Sequence, residues 1–93
     1  MNKREAREIL ERRVADLRLV PYHELLRFLD KPEVAEVVAE SGRLYGIEIE
    51  AFWDDRRGGN LRLVVAIDDG GWSAFSPMTA DFIKSPEGGF VGE

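Results

Sequence analysis

The chain has 93 residues, 44% of them apolar, and a formal charge of −5. That length suits one domain, residues 1–93, with a single modest core. There is no cysteine, which excludes disulfides, thiol nucleophiles and zinc–thiolate sites. The opening Met1-Asn2-Lys3-Arg4-Glu5 mixes charges with no apolar segment behind it, unlike a signal peptide. No apolar run approaches the roughly 20 residues of a bilayer span, so the expectation is a cytoplasmic protein without a membrane partner. Charge is unevenly placed. Residues 1–31 carry 8 Lys/Arg and 6 Asp/Glu, a balance of +2; residues 32–93 carry 5 and 12, a balance of −7. The acidic portion repels phosphate backbones, so nucleic acid is not the expected partner. The cations of the N-terminal segment (Arg4, Arg7, Arg12, Arg13) interleave with Glu5, Glu8 and Glu11, as on a solvated helix face.

Residues 3–19 read as an amphipathic helix, with Ala6, Ile9, Leu10, Val14 and Leu17 in one stripe. Asn2 with Glu5 three positions on resembles a capping box. Pro21 breaks this helix and can open a second, in which Tyr22, Leu25, Leu26 and Leu29 share a face. Phe28 lies beside that stripe and is expected to be partly exposed. His23, the one histidine, sits in the first turn, where a surface or capping role suffices. Residues 1–31 therefore form a helical layer.

Residues 33–40 admit two readings. Pro32, Val34, Val37, Val38 and a terminating Gly42 fit a short helix. They also fit a strand turning through Ser41-Gly42, with Val38 opposite Tyr45 and Val34 opposite Ile49. In that register Glu36 points inward.

The next two runs are better determined. Tyr45 to Trp53 and Leu61 to Ile67 alternate with period two around Gly58-Gly59-Asn60, which specifies an antiparallel hairpin. Trp53 opposite Leu61 gives the inward pairs Ala51/Leu63, Ile49/Val65 and Ile47/Ile67, all apolar. A one-residue slip would ruin that match. The outward pairs are Phe52/Arg62, Glu50/Val64 and Glu48/Ala66. Asp68-Asp69-Gly70-Gly71 turns the chain into a fourth strand, Trp72 to Ser76. Pro77 stops pairing, and Thr79 caps a short helical turn near residues 79–83 that carries Phe82 and Ile83.

The arrangement YGIEIEAFWDD, RRGGN, LRLVVAIDDGGW, FSPMTADFI and GGFVGE resembles a family of small bacterial proteins of unknown function. The resemblance covers about residues 32–93 and omits the N-terminal helices. It implies a short α+β protein with paired strands, favouring strand for residues 33–40, and it implies no activity.

Four turn aspartates invite a metal reading. Asp54 and Asp55 lie at one end of the strand 61–67, and Asp68 and Asp69 at the other, roughly 20 Å away. Ligands must lie within about 2.5 Å of one ion, so the two pairs cannot share a site. Asp54, Asp55 and Asp81 can meet at one end of a meander around a divalent cation, although aspartates also occupy turns to bond nearby backbone N–H groups. Glu48 and Glu50 share a strand face about 7 Å apart, the spacing of a glycosidase pair, but no sugar cleft surrounds them. With one histidine no triad can be argued.

The expected fold is α+β: two N-terminal helices on one face of a four-stranded antiparallel meander (32–93), with the helical turn near 79–83. The expected function is non-enzymatic, without a cofactor. It is binding to a protein partner through the outer sheet face (Glu48, Glu50, Phe52, Arg62) or an edge marked by Trp72. The alternative is a divalent-cation or small-ligand protein using Asp54, Asp55 and Asp81. Oligomeric state is not legible.

Overall fold

The computed structural model describes residues 1–71 and 76–93. Three helical segments, α1 (Lys3–Arg18), α2 (Tyr22–Leu25) and α3 (Arg27–Asp30), precede four strands. These are β1 (Glu33–Val38), β2 (Leu44–Trp53), β3 (Leu61–Asp68) and β4 (Met78–Lys84), antiparallel and in the order β1-β2-β3-β4. The α+β class and the antiparallel sheet follow the pattern of the sequence.

Helix α1 starts where Asn2 accepts the Glu5 backbone N–H at 3.1 Å. The reciprocal half of a capping box is not made. Glu5 instead accepts hydroxyls from Ser41 and Tyr45, both at 2.9 Å, tying the helix start to the β1–β2 turn. The apolar stripe buries Ala6, Leu10 and Leu17, with Ile9 and Val14 half-buried. At the other end of α1 the chain turns, and Lys84 donates to the carbonyls of Arg18 (3.0 Å) and Val20 (2.8 Å). A cation there satisfies carbonyls left unpaired at the helix C-terminus and suits its partial negative charge. The second helical stretch is interrupted at Leu26, dividing α2 from α3. Phe28, expected partly exposed, is buried in the core against the sheet.

The β2–β3 register is the expected one: Trp53 faces Leu61, Ala51 faces Leu63, Ile49 faces Val65 and Ile47 faces Ile67. All of these except half-buried Trp53 are buried, and they form one core with the helix stripe. Helix α1 packs across β3 and β4, and α3 across β2.

Two further expectations are corrected. The β1–β2 register lies one residue from the expected one: Val34 faces Glu48, Val37 faces Tyr45 and Val38 faces Leu44. The cause is the turn. Gly42 N–H donates to Ala39 O and Ala39 N–H to Arg43 O, with Gly42 at φ +88°. This is a three-residue loop with a glycine bulge, and the extra residue flips β1 about its axis. Glu36 consequently points outward, opposite Gly46. Second, residues 79–83 are not helical but belong to β4, whose Phe82 faces Leu63 and Ala80 faces Val65. Pro77 directly precedes that strand, a position open to proline. The expected strand at Trp72–Ser76 falls on residues 72–75 and the bend at Ser76, and residues 72–75 lie outside the described residues.

Candidate functional site

The helices cover one face of the sheet, so the opposite face is open. An antiparallel sheet tolerates this when its outward positions are polar. Here they are mixed. Val34, Glu36 and Val38 come from β1, Leu44, Glu48, Glu50 and Phe52 from β2, Arg62, Val64 and Asp68 from β3, and Thr79, Asp81 and Ile83 from β4. Phe52 is 48% exposed, Leu44 49%, Val38 68% and Val34 74%.

Four expected contact residues share this face. Glu48 and Glu50 lie two apart on β2, and Phe52 sits directly opposite Arg62. The Glu48 carboxyl is held above the ordinary carboxylate range, chiefly by a side-chain hydrogen bond to Glu50, then by desolvation and by the charges of Glu50 and Asp68. Adjacent carboxylates make the first proton easy to keep. The fifth expected contact, Trp72, lies outside the described residues.

The structure does bring Asp54 and Asp81 together, but onto Arg62. The guanidinium donates to Asp54 Oδ1 from Nε (3.2 Å) and Nη2 (2.8 Å), and Nη1 donates to Asp81. Both carboxylates raise the pKa of Arg62, Asp54 most. Asp55 has other partners. Its Oδ1 accepts the backbone N–H groups of Arg56 and Asn60, each at 2.7 Å, which lowers its pKa and organises the β2–β3 loop. A cation competing for Asp54 and Asp81 would have to displace a guanidinium, and Asp55 is engaged by the loop backbone. Among the described residues no group of three or more His, Asp or Glu is placed to hold a metal ion.

Sequence reasoning missed the contribution of β1 to this face. Val34, Glu36 and Val38 join it only in the observed register, and the signal was the length of the turn around Gly42. It also missed that Arg62 neutralises the two aspartates it had grouped.

Searches against protein-family models, curated proteins and solved structures return no match, so the resemblance noted for residues 32–93 gains no support from them.

Proposed function

We propose that this protein is a non-enzymatic binding module whose open sheet face docks a basic protein surface. One observation carries the reading: exposed Phe52, Leu44, Val34 and Val38 are interspersed with Glu36, Glu48, Glu50, Asp68 and Asp81. The cation among them, Arg62, is occupied by Asp54 and Asp81. An exposed aromatic gives a partner an anchor, and the surrounding carboxylates select its charge and raise its on-rate. The same charge repels a nucleic-acid backbone.

The test is affinity capture from a bacterial lysate, with wild-type protein beside a Glu48→Lys/Glu50→Lys/Phe52→Ala variant. The variant should keep the wild-type circular dichroism, because these side chains lie outside the core. Wild type is expected to retain a basic protein that salt releases, and the variant to lose it by about tenfold or more, roughly 1.4 kcal/mol. Equal retention by the variant, or capture of nucleic acid in place of protein, overturns the proposal.

A further inference from the structure

The edge of the sheet tells a different story from its face. In β1 the ladder parity is set by Ala39 N–H bonding Arg43 O at 2.9 Å across the turn. In an antiparallel pair bonded and non-bonded residues alternate, so Glu33, Ala35 and Val37 address β2. The N–H and C=O groups of Val34, Glu36 and Val38 therefore point away from the sheet. Among the described residues no strand pairs with them. The opposite edge is treated differently. On β4 the outward carbonyl of Ile83 accepts Val91 N–H at 2.9 Å, and Lys84 bridges Phe90, so the C-terminal segment covers that end.

A groove of about 280 Å³ runs along the bare edge, between α1 and β1. Ile9, Val37 and Ala39 give it an apolar floor, and Glu5, Glu8, Arg12 and Glu40 surround it. A strand added to β1 would lie about 4.8 Å from it, with alternate side chains entering this groove and the others extending the row Val34, Glu36, Val38.

We propose that the β1 edge takes an extended basic peptide segment as a fifth strand. The proposal does not require docking on the open face: it uses the outward backbone groups of β1 and the groove beside α1, and Glu36 is the carboxylate the two surfaces share. Charge identifies the occupant. Glu5, Glu8 and Glu40 line the groove and Glu36 lies on the outward side of β1, while Arg12 is the cation of the groove and Arg13 is held by Glu33 at 2.9 Å. A second copy of the chain fits poorly. The antiparallel register that sets Val34 against Val38 of another copy also sets Glu36 against Glu36, and like charges directly opposite destabilise a pair.

The probe is a synthetic peptide of about eight residues alternating valine with lysine, added to isotope-labelled full-length protein, with amide exchange read by NMR. Saturating peptide is expected to slow exchange at Val34, Glu36 and Val38 by about tenfold or more. Glu36→Pro should abolish that protection, because proline removes a donor the β1–β2 ladder does not use. Glu36→Lys, which leaves the backbone intact, should weaken binding several-fold. Three results overturn the proposal: equal binding of a valine–glutamate peptide, edge protection that grows with protein concentration without peptide, or shifts confined to the Phe52 and Val64 face. The last would leave face docking intact while removing the edge site.

Discussion

Glu48 and Glu50 show how one pair of side chains makes a surface responsive to pH. The folded protein holds the Glu48 proton above the pH at which an unfolded chain releases it. The stabilisation from this group is therefore present below the unfolded pKa and is lost as pH rises through the raised folded one. Binding of a cationic partner runs the other way. It favours the ionised pair, so affinity should increase with pH until Glu48 is fully deprotonated. Replacing Glu50 removes both the hydrogen bond and the nearest charge, the first and third causes of the shift. In Glu50→Ala the Glu48 carboxyl, followed by carbon-detected NMR titration, should move down toward the ordinary range. It should stop short of it, because desolvation and Asp68 remain. An unchanged midpoint would show that Glu50 does not set the proton affinity and that burial and Asp68 do.

At the scale of elements, the β2–β3 hairpin was legible because every inward position is apolar and a one-residue slip of β2 places Glu48 and Glu50 in the core. β1 gave no such test. Val34, Val37 and Val38 put apolar groups on both faces, so either register satisfied the pattern, and the loop decided. Asp81 was expected beyond the exit of a strand at Trp72–Ser76 but lies in the middle of β4 opposite Val64, and it meets Asp54 through Arg62, whose neighbours follow only once β4 is assigned. β4 was hidden by Pro77 and by Lys84, a buried inward lysine (6% exposed) that looks like a surface residue until its bonds to α1 carbonyls are seen. The turn that fixes β1 can be tested directly. Gly42 has φ +88° with nothing within 4 Å of where a Cβ would stand, so the penalty for a side chain there is conformational. Gly42→Ala should cost about 1–2 kcal/mol of stability by chemical denaturation. Loss of less than a few tenths would mean that the bulge is not what holds the register.

Across the whole molecule, support is graded from one side of the sheet to the other. β3 is bonded on both edges, has Leu61, Leu63, Val65 and Ile67 buried, and lies under α1. β4 shares α1, and its end is fastened through Lys84 and through Arg18. The Arg18 guanidinium lies 3.8 Å from the Phe90 ring centroid and pairs Glu93 at 2.6 and 2.7 Å. β1 has one bonded edge and no buried residue, and among the described residues no helix packs across it as α1 does across β3 and β4 and α3 across β2. Cooperative units that bury little apolar surface open at lower free energy than the whole. The amides of Ala35 and Val37, although bonded to β2, should therefore exchange through an opening confined to β1, with only weak dependence on added denaturant. Those of Leu63 and Val65 should exchange only with global unfolding and the full denaturant dependence that large surface exposure brings. Such an opening also bears on ligand access, since a strand that detaches easily reforms readily beside an added one, and a bound peptide should raise the protection of Ala35 and Val37 toward that of β3. Equal protection of β1 and β3 in the free protein would show that the sheet opens as one unit, whatever its unequal burial.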